Sequence, residues 1–257
     1  MPYVIELEGR RALITGAGQG VGRAIALSLA QAGAVVAVND VVAERADEVV
    51  AEIRAAGGQA DAAVFDVTDR AAVTAAVASI APVHILVNNA GNAGVQGYAG
   101  MHPFVQSDPS EWDRYFQINL FGVMYCTHAV LPGMIEALDG RIVTVVSDAG
   151  RFGDANLAPY AAAKAGAAGF SRTVAREVGR YGITVNNVAL GTINTPVSAG
   201  REQASEEERK KQLRQYIIRR RGEPEDVAGL VTYLVSPSAS WITGQTYPVN
   251  GGYTLSL

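Results

Sequence analysis

Residues 11–22 read RALITGAGQGVG, and this stretch decides the fold class. The apolar run 11–15 is typical of a buried strand, and residues 21–32 repeat apolar positions at helical spacing. The glycines between them predict a turn in which the backbone adopts conformations that other residues rarely take. A strand, a glycine turn and a helix in this order indicate an α/β architecture.

Short apolar runs alternate with Ala-rich helical stretches along the rest of the chain. Continuous apolar strands separated by helices predict a parallel sheet that is covered on both faces. We therefore expect one domain over residues 1–257, a Rossmann-type, doubly wound parallel α/β sheet of about seven strands with helices on both faces. The predicted strands are 11–15, 34–39, 60–65, 83–88, 141–147, 184–189 and 245–249, and the predicted helices are 21–32, 43–56, 66–80 (N-cap Thr68 or Asp69), 108–133 and 157–181.

Composition limits the possible functions. The 257 residues carry 21 Lys and Arg against 25 Asp and Glu, a net charge of −4, which disfavours nucleic-acid binding. The single Cys126 excludes an internal disulfide framework, and the three histidines share no metal-ligand spacing, so no metal is expected. The N-terminus lacks a signal-peptide pattern, and no apolar stretch approaches the ~20 residues of a membrane span. We expect a cytoplasmic protein with no membrane partner.

The glycine turn also predicts an anion site. In TGAGQGVG, residues 15–22, backbone N–H groups are accessible because no Cβ intervenes, and the following helix adds the positive end of its dipole. The spacing Gly16-x3-Gly20-x-Gly22 differs from the usual G-x-G-x-x-G, and a tight turn without a ligand is the alternative. The strand–turn–helix context favours the pyrophosphate of a dinucleotide.

Acidic residues after the next two strands indicate which dinucleotide is bound. Asp40 ends the second predicted strand, where a carboxylate accepts hydrogen bonds from adenosine ribose hydroxyls and repels a 2′-phosphate. Gln19 places nothing basic in the turn, so we predict NAD(H); the alternative is that Asp40 only caps the next helix. Asp66, followed by Val67, ends the third strand and is expected to hold the adenine amino group.

Two further motifs, in order along the chain, carry a family resemblance. NNAG at 88–91 follows the fourth strand, and YAAAK at 160–164 lies on a predicted helix. Together with the glycine turn, and with NGG at 250–252, they make the chain resemble the short-chain dehydrogenase/reductase family over essentially its whole length. The resemblance implies an NAD-dependent oxidoreductase that interconverts a secondary alcohol and a ketone.

The chemistry of the catalytic candidates follows in part from their positions. Tyr160 and Lys164 share one helix face a turn apart, and an ammonium beside a phenol favours the phenolate. Tyr160 is then a usable general acid for ketone reduction and base for alcohol oxidation. Ser147 ends a strand at the sheet edge where ligands bind, and we expect it to hydrogen-bond the substrate oxygen. Taken alone, a Tyr-x3-Lys pair is more often an ordinary amphipathic face.

The resemblance adds roles that the residues alone do not give. It implies that Asn119 orders a water beside Lys164, that Lys164 also holds the nicotinamide ribose, and that Thr195, with the backbone near Ile193, binds the carboxamide. The residues expected to bind the cofactor are Gly16, Gln19, Gly20, Val21, Gly22, Asp40, Asp66, Val67, Asn89, Ala90, Gly91, Tyr160, Lys164, Gly191, Ile193 and Thr195.

Two positions depart from the family pattern. Leu190 stands where the family usually has proline before the glycine at 191, so the backbone there is expected to be freer. Asp148, directly after Ser147, is an unusual acid for the substrate side. Elsewhere, Cys126, His128 and Trp241 are predicted to be packing residues.

The substrate side is less determined. Residues 191–222 are expected to form a lid, with a solvated charged helix as the alternative for 194–222. Loop 92–107 combines glycine with aromatic residues, which suits a non-polar ketone. An NADP-dependent reductase of carrier- or CoA-bound 3-oxoacyl groups is the alternative function, and a non-enzymatic scaffold is a third. Members of this family commonly form tetramers through two long helices, here 110–131 and 157–181, so a homotetramer is expected.

Overall fold

Seven parallel strands form one sheet in the structure, a computed structural model that describes residues 5–91, 102–196 and 206–255. The strand order is β3-β2-β1-β4-β5-β6-β7, so the chain winds outward in both directions from the β1/β4 pair. This confirms the predicted doubly wound sheet. The strands are β1 Arg11–Ile14, β2 Val35–Asp40, β3 Gln59–Val64, β4 Ile85–Asn88, β5 Gly140–Ser147, β6 Ile183–Leu190 and β7 Thr246–Val249.

Nine α-helices lie within the described ranges. Asp69 caps the third by accepting hydrogen bonds from the N–H groups of Ala71 and Ala72, as one of the two N-cap alternatives predicted. The helices are α1 Gly20–Gln31, α2 Ala43–Ala55, α3 Arg70–Ile80, α4 Trp112–Phe116, α5 Gly122–Ala137, α6 Ala149–Phe152, α7 Ala158–Val178, α8 Glu206–Leu213 and α9 Pro224–Leu234.

The helices cover both faces of the sheet, and neighbouring residues of β1 show the division. Ala12 and Ile14 pack into one apolar layer with α1, α2 and α9, whereas Leu13 packs into the opposite layer with α3, α5 and α7. Successive side chains of a strand point to opposite faces, so a strand that is covered on both faces must be apolar throughout. This is why the strands were visible in the sequence as continuous apolar runs.

A long helical run corrects one expectation. Residues Pro109–Ala137 are helical throughout and are long and apolar enough to cross a membrane, although no such stretch was expected. Length and composition alone are weak evidence for a span, because core helices pass the same test. Here the α5 portion packs against α3 and the adjoining strands.

Two predicted packing residues are not packed. Trp241 is 98% exposed, and His128 is exposed on α5, so the predictions for both are wrong. Cys126 is buried as predicted, and burial raises the pKa of its thiol to about 12, which keeps it protonated and unreactive. Apolar or aromatic character alone did not distinguish a core position from a surface one.

Candidate active site

A cleft of about 470 Å³ opens at the carboxyl ends of the strands, around the β1/β4 pair. This is the topological switch point of the sheet: the connections after β1 and β4 run to opposite sides, and a crevice opens between them. Every predicted catalytic or cofactor-binding residue lines the cleft except Asn119, which lies behind it.

The glycine turn forms one wall of the cleft. Gly16 and Gly20 have φ values of 61° and 56°, a region that favours glycine, and a Cβ on Gly16 would lie only 2.9 Å from Cα of Ala90. Helix α1 begins at Gly20; within the described residues its N-cap Gln19 makes no side-chain cap, and its first turn holds no acid. Its first N–H groups are therefore available to an anion.

Two buried polar residues that the sequence analysis did not single out hold the turn in place. The Thr15 hydroxyl accepts hydrogen bonds from the N–H groups of Asn89 and Ala90, each at 3.0 Å. Asn39 accepts from the Gly16 N–H at 3.2 Å. Buried polar groups need hydrogen-bond partners. A polar residue at the end of an apolar strand, next to a glycine turn, could therefore have indicated this bracing from the sequence.

The Asn89 side chain braces the turn as well. Its amide donates to the carbonyl oxygens of Thr15 and Gly16 at 3.0 and 2.9 Å. Asn89 lines the cleft as predicted, but its amide hydrogens are committed to the protein. A ligand could therefore be held by the oxygens of Asn89 but not by its amide hydrogens.

Asp40 lies at the rim, between the glycine turn and α2. One carboxylate oxygen accepts from the Gly18 N–H at 3.2 Å, and the other accepts from the Val42 N–H at 3.0 Å. The second contact resembles the capping alternative, and the first places the carboxylate beside the turn. Further along the rim, Asp66 accepts two hydrogen bonds from Thr68, both at 2.8 Å.

The catalytic candidates occupy the other end of the cleft. Tyr160 and Lys164 are both buried on α7, and the Lys164 ammonium lies 6.0 Å from the centre of the Tyr160 ring. Lys164 donates to the Val145 carbonyl at 2.9 Å, and burial lowers its pKa to about 8. Ser147 ends β5, and its hydroxyl accepts from the Ala149 N–H at 3.2 Å.

Asn119 reaches the site through an irregular turn that the sequence did not predict. Residues Gln117–Phe121 form a π-helical turn between α4 and α5, where a regular helix was expected. Asn119 is fully buried there. A Cβ on Gly91 would lie 2.6 Å from the Asn119 side-chain oxygen and 2.9 Å from the Lys164 nitrogen, so both groups meet at this glycine.

Comparisons with known proteins agree with this arrangement. A family model described as Enoyl-(Acyl carrier protein) reductase matches residues 16–254. The 7alpha-hydroxysteroid dehydrogenase of Escherichia coli (strain K12) is 37% identical over 252 residues, which cover 96% of this chain and 95% of that protein. The chain belongs to the short-chain dehydrogenase/reductase family.

Solved structures of this family superpose closely on the chain. A 7 alpha-hydroxysteroid dehydrogenase complexed with NADH and 7-oxo glycochenodeoxycholic acid has a TM-score of 0.87 at 37% identity, with 96% of this chain and 95% of that one covered. A gluconate 5-dehydrogenase from Burkholderia cenocepacia J2315, in complex with NADP and tartrate, has a TM-score of 0.90 at 32% identity, with 98% of each covered. As a short-chain dehydrogenase/reductase, the chain is an oxidoreductase of alcohol or ketone substrates.

The two departures from the family pattern now have a structural account. Leu190 is not free: it pairs with Ser147 on β5 and Val249 on β7, and its carbonyl accepts from the Asp148 N–H at 3.0 Å. The Asp148 side chain is 2% exposed and turns away from solvent. It receives hydrogen bonds from Arg151 at 2.6 Å, Asn250 at 2.5 Å and Thr254 at 3.2 Å.

Asp148 therefore ties the C-terminal segment to the end of β5, and its loss should destabilise the fold. Asp148→Ala removes the buried acceptor shared by Arg151, Asn250 and Thr254, and we expect it to lower the free energy of unfolding by about 2 kcal/mol, the range for hydrogen bonds to a charged group. Urea denaturation measures this, with Asp47→Ala on the exposed face of α2 as the control. If both variants unfold at the wild-type urea concentration, the contacts of Asp148 contribute nothing to stability.

Only the two ends of the expected lid can be described. Ile193 forms a parallel bridge with Gly222, and the Tyr216 hydroxyl donates to that of Thr192 at 2.9 Å, so the segment leaves and rejoins the cleft at adjacent points. Residues 197–205, in the middle of the segment, and most of loop 92–107 lie outside the described residues. The lid stays a prediction.

Proposed function

We propose that this protein is an NAD(H)-dependent oxidoreductase that interconverts a secondary alcohol and a ketone by hydride transfer, with Tyr160 as the general acid and base. One observation carries the proposal: a single cleft holds both kinds of site. The glycine turn and Asp40 lie at one end, and Tyr160, Lys164 and Ser147 lie at the other.

The residues of the cleft fit a dinucleotide. The glycines of the turn have no side chains that would block an anion, and the N-terminus of α1 offers N–H groups to a pyrophosphate. Asp40 would accept hydrogen bonds from the adenosine ribose, and Lys164 from its buried position would reach the other ribose. When bound, the nicotinamide supplies the hydride acceptor or donor.

The protein's own residues handle the proton. In ketone reduction, Tyr160 gives its phenolic proton to the carbonyl oxygen, and in alcohol oxidation its phenolate takes the hydroxyl proton. The Lys164 ammonium favours the phenolate by its charge. Ser147 hydrogen-bonds the same substrate oxygen and orients it, while the Val145 carbonyl holds the Lys164 ammonium in place.

Asp40 favours NAD(H) over NADP(H) because a 2′-phosphate would meet a carboxylate. Calorimetry should therefore show NADH binding at least about tenfold tighter than NADPH, a difference of about 1.4 kcal/mol. The double substitution Asp40→Ala with Gln19→Arg removes the negative charge and adds a positive one, and it should reverse the order. Equal or tighter binding of NADPH by the wild-type protein would contradict the assignment.

The alternative function is an NADP-dependent reductase of carrier- or CoA-bound 3-oxoacyl groups. One observation favours it: the 3-oxoacyl-[acyl-carrier-protein] reductase FabG of Thermotoga maritima is 36% identical over 255 residues, which cover 98% of this chain and all of that protein. A spectrophotometric screen separates the two functions. It would pair NAD⁺ and NADP⁺ with cyclohexanol, a 7α-hydroxysteroid and gluconate, and NADH and NADPH with an acetoacetyl thioester.

Each outcome of the screen has a clear meaning. Reduction of NAD⁺ by a free secondary alcohol supports the proposal. NADPH-dependent reduction of the thioester alone establishes the alternative instead.

We also propose that the protein is a homotetramer. The apolar run Pro109–Ala137 buries only 39% of its most apolar 18-residue window within the chain, and Trp241 is 98% exposed. Apolar side chains that a chain leaves uncovered are available for burial against a partner subunit. Light scattering at micromolar concentration should give four times the chain mass of 26.9 kDa. A monomeric mass would contradict the proposal.

A further inference from the structure

Arg45, which the sequence analysis passed over, lies at the adenosine end of the cleft. It lies in the first turn of α2 and lines the cleft together with Asp40. A Cβ on Gly18 would lie 2.6 Å from the Arg45 Cβ and 2.6 Å from an Asp40 carboxylate oxygen. The stem of Arg45 and the carboxylate of Asp40 therefore flank the same glycine.

The Arg45 guanidinium has no ion-pair partner in the part of the chain that the structure describes. Arg23 on α1 pairs with Glu52, and Arg54 at the far end of α2 pairs with Asp61 at 3.0 Å. Arg45 is exposed, and across the described ranges no ion pair or side-chain hydrogen bond engages it. Among the described residues that line the cleft, the other basic one is Lys164, which lies at the catalytic end and donates to the Val145 carbonyl.

The neighbouring carboxylate is in the opposite situation. Asp40 is buried, and each of its oxygens already accepts a backbone N–H, from Gly18 and from Val42. An anionic and a cationic side chain thus flank one glycine at the rim; the anion is buried and hydrogen-bonded, and the cation is exposed. A guanidinium binds a phosphate through paired, charge-assisted hydrogen bonds. A carboxylate in a fixed position repels the same phosphate.

Building on the proposed function, we propose that Arg45 is a specificity-determining residue that binds the 2′-phosphate of NADP(H). The protein then accepts NADP(H) as a second cofactor, and Asp40 alone keeps that cofactor the weaker one. Substitution of Asp40 alone is sufficient to increase the affinity for NADPH, because the cation that binds the phosphate, Arg45, is already in place.

Calorimetric titration of NADH and NADPH into wild type, Asp40→Ala, Arg45→Ala and the double variant tests this. In the Asp40→Ala background, Arg45→Ala should weaken NADPH binding about tenfold or more, as expected for a charge-assisted hydrogen bond to phosphate. The same change should alter NADH binding less than about threefold, which is below 1 kcal/mol. Arg54→Ala, at the other end of the same helix, should change neither.

Fragments that carry the phosphate alone provide a second readout. Adenosine 2′,5′-bisphosphate should raise the thermal unfolding temperature of the wild type more than adenosine 5′-monophosphate does, and Arg45→Ala should abolish the difference. Asp40→Asn replaces Asp40→Ala if the latter fails to fold. NADPH affinity that is the same with and without Arg45 overturns the inference, whereas a wild type that binds neither NADH nor NADPH overturns the proposed function itself.

Discussion

Tyr160→Phe should lose 10²–10⁴-fold in kcat, the range for removal of a general acid, while the fold and NADH affinity remain. Only the phenolic oxygen is removed. The ring stays packed against Ala149 and Leu157, so the helix that carries Lys164 has no reason to move. Steady-state kinetics and NADH titration on the same preparation measure the two quantities separately.

A second tyrosine provides the control for this substitution. Tyr181 lies beyond the end of α7, and its hydroxyl accepts from Arg180 on the surface. Tyr181→Phe should retain full kcat. If Tyr160→Phe keeps more than about a tenth of the wild-type kcat, the proton comes from another group.

Lys164→Met should abolish most activity and yet stabilise the protein at neutral pH. Burial lowers the pKa of Lys164 from 10.5 to about 8, so the folded protein pays for holding the charged form at pH 7. Methionine removes that cost and also removes the hydrogen bond to Val145, worth about 1 kcal/mol. We expect a net gain on the order of 1–2 kcal/mol in the free energy of unfolding.

The pH dependence of this gain has a definite sign. A lowered lysine pKa means that the unfolded chain binds more protons between pH 8 and 10.5, so wild-type stability rises relative to the variant across that window. The advantage of Lys164→Met should therefore be full below pH 8 and should fade towards pH 10.5. Urea denaturation at pH 7 and pH 10 measures it, and a variant that is less stable than wild type at pH 7 would contradict it.

The sheet could be predicted because the signal is local and repeated. The central strands are apolar on both faces, as Ala12, Leu13 and Ile14 illustrate, and strands and helices alternate along the chain. The glycine turn, Asp40, Ser147 and the Tyr160–Lys164 pair line one cleft, and they could be singled out in the sequence because their chemistry depends on short spacings or on strand ends. Boundaries moved by a few residues at most, the largest shifts falling at helix ends.

What the sequence missed depends on contacts between distant segments. Thr15 braces residues of β4 and the loop after it, and Asp148 binds the C-terminal segment more than a hundred residues away. Arg45 reaches the cleft only because α2 packs beside the turn. The π-helical turn at Asn119 has no distinguishing residue type within it, so periodicity predicted a regular helix there.

The central claim is that the cleft transfers a hydride between a secondary alcohol and a nicotinamide. The most direct test uses an alcohol found active in the screen, labelled with deuterium at its carbinol carbon, with NAD⁺ as the acceptor. With wild-type protein, mass spectrometry should find one deuterium in the reduced nicotinamide for each ketone formed, and Tyr160→Phe should form almost no ketone and almost no labelled nicotinamide in the same time. Ketone formed without label in the nicotinamide, or formed equally fast by both proteins, would contradict the account.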